Sequence, residues 1–147
     1  MRLLTIDSSV FVSRARAQEL GHQESAAFLQ WVRATRPRLF IPIPTLAIPE
    51  VAAALSRTGS DRETAHRYAL AIGSLPNTVL VALDDGVAQQ AAALAAQHKL
   101  RGADAVFVAA AAMFAAELVT LDSEQLERGA AVVQTHTPQT FLATTTP

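Results

Sequence analysis

Residues 3–7 read LLTID, a short apolar run that ends in a carboxylate. Residues 118–122 have the same arrangement, LVTLD. Continuous apolar runs of this length are typical of parallel strands covered on both faces, and in open parallel sheets ligands bind beyond the carboxyl ends of the strands. The two runs therefore predict an α/β protein in which Asp7 and Asp122 share one crevice, provided that their strands are neighbours.

Further apolar runs alternate with longer helical segments along the chain. Additional strands are predicted at 39–43, 79–83 and 131–133. Pro42 indicates that the strand at 39–43 lies at an edge or reaches its end there. The spacing of apolar residues predicts helices at 24–35, 45–56, 61–72, 86–98 and 105–117. This alternation predicts an α/β sandwich with a mainly parallel sheet.

Composition limits the possible classes of protein. The 147 residues are the length of one domain, expected over 1–143, with 144–147 as a frayed tail. Half of the residues are apolar and 17% are charged, which excludes a disordered polyelectrolyte. The chain has no cysteine, which excludes disulfides, thiolate metal sites and a cysteine nucleophile. Twelve basic and 13 acidic residues give a charge of −1, so no broad basic field exists for nucleic acid.

No targeting or membrane segment is expected. The N-terminus reaches Asp7 before an apolar region of signal-peptide length can form. The longest uncharged apolar run, at 105–116, is shorter than the roughly 20 residues that span a membrane, so it is interpreted as a buried helix. We therefore expect a cytoplasmic protein.

Two more acids lie among apolar or small residues. Glu50 stands between Pro49 and Val51 early in a predicted helix, and Asp104 precedes the apolar run. No basic residue lies in that run, and only Arg101 is close before it. Ionised carboxylates are seldom left in apolar surroundings without a partner, and an all-oxygen group of four favours Mg²⁺ or Mn²⁺. Such a site suggests metal-dependent phosphodiester hydrolysis.

Each of these acids also has a purely structural interpretation. Asp7, Asp104 and Asp122 could cap helices, and Glu50 could be a first-turn acid that interacts with the helix dipole. For the pair that follows the strand at 79–83, capping is the preferred interpretation: Asp84 and Asp85. Position alone therefore leaves the four-acid site as one of two open interpretations.

The motifs resemble those of the PIN-domain family of metal-dependent ribonucleases, especially its VapC-like toxins. The resemblance is carried by IDSSVFV (6–12), PEVAAAL (49–55), LRGADAVFVA (100–109) and LVTLD (118–122). The third segment is the most specific match. The four segments occur in the family's order, and the resemblance covers residues 3–142.

This resemblance implies a single-domain, three-layer α/β/α sandwich with a central, mainly parallel sheet. It implies an endoribonuclease that hydrolyses RNA phosphodiester bonds as the toxin of a toxin–antitoxin pair. The expected partners are RNA, a cognate antitoxin in an apolar groove of the early helices, and a second copy of the chain in a homodimer. The implied ligands of Mg²⁺ or Mn²⁺ are Asp7, Glu50, Asp104 and Asp122, with Ser9 and Thr120 orienting Asp7 or a bound water.

The remaining polar residues are less informative. Arginines that could contact RNA phosphates or an acidic partner are Arg14, Arg16, Arg33, Arg36 and Arg38. The histidines have no metal-ligand spacing and are expected at the surface: His22, His66, His98 and His136.

Two other functions are weighed against the ribonuclease. An aspartyl-phosphate phosphatase also places an aspartate after its first strand, but it needs a second aspartate where Ser9 stands and a lysine near the phosphate. The only lysine, Lys99, lies in a different context. The stronger alternative is a catalytically inactive PIN-fold interaction module, which would be expected to lose acids; all four are present.

Overall fold

The five strands of the protein form one parallel sheet in the computed structural model, which describes residues 1–35 and 38–145. The strands are β1 (Arg2–Ile6), β2 (Leu39–Pro44), β3 (Thr78–Val81), β4 (Glu117–Val119) and β5 (Thr135–His136). They lie in the order β3-β2-β1-β4-β5. The chain adds β2 and β3 on one side of β1 and then crosses to the other side with β4. The strand order therefore reverses between β1 and β4, which are direct neighbours.

Two groups of helices accompany the sheet. They are α1 (Ser8–Ala15), α2 (His22–Ala34), α3 (Ala47–Arg57), α4 (Arg62–Leu70), α5 (Asp85–His98), α6 (Gly102–Met113), α7 (Ser123–Gly129) and α8 (Pro138–Ala143). Helix α6 packs on β1, β2 and β4 and against α5 and α7, whereas α1 packs against α2 and α3, α3 against α4, and α2 against α8. The three-layer α/β/α sandwich is thus confirmed.

Helix α6 forms the centre of one layer. Residues 105–111 are buried without exception, because the helix is apolar all round and has neighbours on several sides. It begins at Gly102 and ends at Met113, earlier than predicted at both ends, and Ala115 has a left-handed backbone with φ of 51°. Across the described ranges, no helix has the length and apolarity that crossing a membrane requires.

The prediction that Pro42 marks an edge or a strand end was wrong. Strand β2 lies inside the sheet between β1 and β3, and Pro42 pairs in register with Val79. The Ile41 amide donates to Asn77, the residue before β3, and the Thr45 amide donates to Val81 in β3, so the proline nitrogen faces β1. There the Thr5 hydroxyl donates to the Pro42 carbonyl at 3.0 Å. A missing amide is tolerated inside this sheet because the ladder on that side is short.

The fifth strand is also displaced from its predicted position. Residues 131–133 form a turn, in which the amides of Val132 and Val133 both donate to the Gly129 carbonyl. Both valines still pack against the core, which explains their apolar character without a strand.

The first and last segments of the chain are joined at the amino ends of the strands. Arg2 makes a bidentate ion pair with Glu117, at 2.7 and 3.0 Å, and its guanidinium lies 4.0 Å from the ring centroid of Phe141. His136 is buried rather than at the surface as predicted, and its Nε2 lies 2.9 Å from Glu117. Thr144 and Thr145 of the expected tail hydrogen-bond to α8, and Thr146 and Pro147 lie outside the described residues.

Candidate functional site

A cavity of about 780 Å³ lies where the strand order reverses. Its lining comes from the segments that follow β1 and β4, from α3 and α6, and from the loops before α2 and α8. All four acids predicted from the sequence line it, and so do two that were not predicted, Glu19 and Glu24. Arg57 is the one basic residue among its described lining residues. The cavity is therefore strongly acidic.

Asp7 is held most firmly of the four acids. It is only 6% exposed, and it caps α1 by accepting the Ser9 amide at Oδ2, 3.1 Å away. The Thr120 hydroxyl donates to the same oxygen at 3.0 Å. Burial raises the pKa of Asp7, hydrogen bonds from Ser9 and Thr120 oppose that rise, and the charge of Asp122 adds to it.

Thr120 and Ser9 connect the two strand ends. The Thr120 hydroxyl donates to Asp7 and accepts the Asp122 amide at 3.0 Å, so one buried side chain fixes both aspartates. The Ser9 hydroxyl accepts the Leu121 amide at 3.0 Å, while its backbone amide binds Asp7. Both residues thus contact the backbone or side chains at the two strand ends.

Glu50 has a partner that sequence reasoning missed. It lies in the first turn of α3, and its Oε1 accepts the Ser8 hydroxyl at 2.8 Å. Burial raises the pKa of Glu50, the Ser8 bond opposes this, and the charges of Asp7 and Asp104 raise it further. The sequence holds no local signal for this contact, because the two residues are 42 positions apart.

Asp104 and Asp122 share a basic partner, contrary to the sequence-based view that the acids lack one. Arg101 Nε lies 3.2 Å from Asp104 Oδ2, and its Nη2 lies 2.9 Å from Asp122 Oδ2. Burial raises the pKa of Asp104, the charges of Asp122 and Asp7 add to this, and Arg101 opposes it. The spacing of Arg101 and Asp104, three residues apart, was a usable signal for this pair.

The capping interpretations hold for some acids and fail for two, Asp104 and Asp85, since Asp85 is the first residue of α5 and not its cap. Asp122 caps α7 through Oδ1, which accepts the Gln125 amide at 2.8 Å, and Asp84 caps α5. Asp104 is not a cap: the cap residue of α6 is Arg101, and Asp104 lies in the first turn. Gln125 is fully buried and its side-chain amide donates to the Asp104 carbonyl at 3.3 Å, a positioning contact not foreseen.

The donor set suits a hard divalent cation in chemistry. All four groups offer oxygen, the ligand that hard divalent cations prefer, and the charges of Asp7, Asp104 and Asp122 raise the pKa values of neighbouring acids in the group. Within residues 1–35 and 38–145, no group of three or more acids or histidines is arranged to hold a metal ion as it stands. Arg101 supplies part of the counter-charge and engages one oxygen each of Asp104 and Asp122.

The arginines singled out in the sequence mostly lie elsewhere. Arg14 and Arg33 line a second, smaller cavity of about 110 Å³ together with Tyr68. Arg16 pairs with Glu19, a residue of the large cavity. Arg36 lies outside the described residues. Arg57 lines the large cavity, and Arg101 contacts Asp104 and Asp122.

Comparison with known proteins gives a family match and several structural likenesses. A family model described as the PIN domain matches residues 4–131. None of the curated proteins matches the chain significantly.

Three of the similar structures share most of their length with this chain. PAE2754 from Pyrobaculum aerophilum is 23% identical, with a TM-score of 0.67 over 97% of this chain and 94% of that one. VapC20 from Mycobacterium tuberculosis, a sarcin-ricin loop cleaving toxin, is 18% identical, with a TM-score of 0.72 over 89% and 97%. A toxin–antitoxin complex from Klebsiella pneumoniae is 20% identical, with a TM-score of 0.63 over 92% and 97%. At such identities the likeness shows a shared fold.

Proposed function

The chain belongs to the PIN-domain family, and from that premise we propose that it is a divalent-metal-dependent endoribonuclease and the toxin of a toxin–antitoxin pair. The observation that carries the proposal is the meeting of four acids from four separate segments in one cavity: Asp7, Glu50, Asp104 and Asp122. Structural capping alone explains Asp7 and Asp122 but gives no reason for Glu50 and Asp104 to face the same cavity.

Residues of the chain hold these oxygens in place. When bound, Mg²⁺ or Mn²⁺ supplies a water of lowered pKa and neutralises charge on the phosphate and on the leaving oxygen. Thr120 fixes Asp7 and the backbone of Asp122, and Ser8 fixes Glu50. Both bonds to Asp7 fall on Oδ2, so that within the described ranges Oδ1 is left to serve as a ligand.

The proposed partners are RNA, an antitoxin and a second copy of the chain. The similar toxin–antitoxin structure supports an antitoxin, and the smaller cavity beside α1, α2 and α4 offers accessible apolar side chains such as Ala71 and Leu75 for it. Exposed apolar residues on and after the edge strand β3 support a homodimer there: Val79, Leu80 and Leu83. Because such a toxin would act on RNA inside the cell, the proposed location is the cytoplasm.

The proposal is tested with three proteins: wild type, Asp104→Asn and Asp84→Asn. Asp84 caps α5 outside the cavity, so Asp84→Asn makes the same chemical change as Asp104→Asn at a position away from the site. We expect wild type and Asp84→Asn to cleave RNA with Mg²⁺ or Mn²⁺, and we expect EDTA to abolish this cleavage. Asp104→Asn should lose cleavage and Mn²⁺ binding while keeping its circular dichroism spectrum.

Two results would contradict this assignment. Cleavage by Asp104→Asn at the wild-type rate would remove Asp104 from the site. A wild-type protein that binds an antitoxin but neither binds Mn²⁺ nor cleaves any RNA offered would favour the inactive interaction module. Relief of expression toxicity by a co-expressed neighbouring gene would separate a toxin from a general nuclease.

A further inference from the structure

Arg101 contacts three carboxylates at the edge of the cavity. Its Nε lies 3.2 Å from Asp104 Oδ2 and 3.6 Å from Glu124 Oε2, and its Nη2 lies 2.9 Å from Asp122 Oδ2. Two of these three acids are among the four assigned to the metal site. Through these contacts, Arg101 joins the start of α6 to the start of α7 beside the cavity.

The side chain of Arg101 is free to move without damage to the fold. It is 66% exposed, and exposed ion pairs contribute little to stability. Arg101 is the cap residue of α6, but its side chain makes no capping hydrogen bond. Its contacts with the acids can therefore be exchanged for others while α6 stays in place.

At Asp122, Arg101 uses the oxygen atom that a cation would need. Asp122 Oδ1 is occupied by the Gln125 amide in the cap of α7, so Oδ2 is the oxygen left for other ligands. Arg101 binds that oxygen. Because the guanidinium and a divalent cation carry like charge and share this oxygen, binding of either one weakens binding of the other.

Resting on the function proposed above, we propose that Arg101 is a phosphate-binding residue with two positions. In the metal-free protein it pairs with Asp104 and Asp122 and closes the acid cluster. When a divalent cation neutralises these carboxylates, the guanidinium turns to an RNA phosphate at the mouth of the cavity. A guanidinium presents planar, paired donors that match phosphate, and Arg57 is the one basic residue among the described residues that line the acidic cavity itself.

Mn²⁺ affinity tests the first position. Free Mn²⁺ is measured by electron paramagnetic resonance during titration of wild type, Arg101→Ala, Arg101→Lys and Arg67→Ala. Arg67 is an exposed arginine paired with Glu63 on α4, away from the cavity, and serves as the matched control. We expect Arg101→Ala to bind Mn²⁺ about fivefold to tenfold more tightly because a repelling charge is gone. Arg101→Lys and Arg67→Ala should stay close to wild type.

RNA kinetics test the second position, with a mixed-sequence fluorophore–quencher oligoribonucleotide and saturating Mn²⁺. For Arg101→Ala we expect the KM to rise about tenfold with a smaller change in kcat, and the slope of log KM against log salt to fall by about 0.7, one phosphate contact. Unchanged or weaker Mn²⁺ binding by Arg101→Ala would overturn the proposal, and so would an unchanged KM. A wild-type protein that neither binds Mn²⁺ nor cleaves RNA would overturn both this proposal and the proposed ribonuclease function. A wild-type protein that does both, with Mn²⁺ affinity and KM unchanged in Arg101→Ala, would overturn this proposal alone.

Discussion

Replacing Asp7 by asparagine should stabilise the metal-free protein while destroying its function. Asp7 is 6% exposed, its pKa is raised by burial, and the charge of Asp122 adds to the rise. An asparagine Oδ1 can accept the same bonds from the Ser9 amide and the Thr120 hydroxyl, and asparagine caps helices as well as aspartate does. The substitution therefore removes a poorly compensated charge and loses little else.

The size of the expected gain in stability follows from the loss of this charge and the retention of both hydrogen bonds. Removing a buried, uncompensated charge while keeping its hydrogen bonds should raise the free energy of unfolding by about 1–2 kcal/mol. In a chain of this length that corresponds to a Tm increase of roughly 3–6 °C. Because a raised carboxyl pKa favours the protonated native state, the wild type loses stability as pH rises from the ordinary carboxyl pKa through that of folded Asp7. The stability advantage of Asp7→Asn should therefore shrink as pH falls towards the ordinary carboxyl pKa and grow as pH rises through the pKa of folded Asp7.

Thermal unfolding with EDTA and with Mn²⁺ measures this directly. Mn²⁺ at a hundred times its Kd should add about 2.7 kcal/mol to the wild type and little to Asp7→Asn, so the order of the two Tm values should reverse. Asp84→Asn, a cap outside the cavity, should follow the wild type under both conditions. If Asp7→Asn unfolds at a lower temperature than wild type in EDTA at pH 7.5, Asp7 is a structural cap and the reasoning fails.

Three further predictions concern other side-chain contacts, one at the amino ends of the strands and two at the cavity. Glu117→Gln should lower the free energy of unfolding by about 2 kcal/mol, because a bidentate, charge-assisted pair is lost; urea titration measures this. The hydrogen bond from Arg2 lowers the pKa of Glu117, so its contribution is present above the ordinary carboxyl pKa and is lost as pH falls through the folded value; the difference between the two proteins should vanish in acid. Ser8→Ala should leave the Tm within about 2 °C but weaken Mn²⁺ binding severalfold, as isothermal titration would show, since Glu50 loses its one described side-chain donor. Thr120→Val should cost about 1–3 kcal/mol and abolish cleavage, whereas Thr120→Ser should retain both properties in the same assays.

The sheet could be predicted from the sequence because its strands are continuous apolar runs. β1 to β4 were placed within a few residues, and the positions of Asp7 and Asp122 followed from the strand ends. The short helix α1 was missed, since its sequence SSVFVSRA contains β-branched residues and has no strong helix signal apart from the Asp7 cap. β5 was misplaced because Val132 and Val133 lie in a turn and pack against the core from there. A short apolar sequence of this kind does not distinguish such a turn from a strand.

Partners within the site were harder to predict than the acids themselves. Ser8 and Glu50, or Thr120 and Asp7, meet only when the sheet and its helices are assembled, and no local pattern encodes such distances. Arg101 is different, because an arginine three residues before an aspartate is a recognisable helical pair. From the sequence, Arg101 was not taken as a partner that neutralises the acids, whereas the structure gives it contacts with two of the four.

The capping and ligand interpretations of the aspartates are compatible, because a carboxylate has two oxygens. Asp122 caps α7 with Oδ1 and turns Oδ2 towards Arg101, and Asp7 receives both of its hydrogen bonds on Oδ2. A strand that ends in aspartate before a helix therefore fixes the orientation of the side chain through the cap and leaves its second oxygen outside the capping bond. Helix capping thus contributes to the preorganisation that a cation site needs, and a capping aspartate at the carboxyl end of a parallel strand should be considered as a ligand as well.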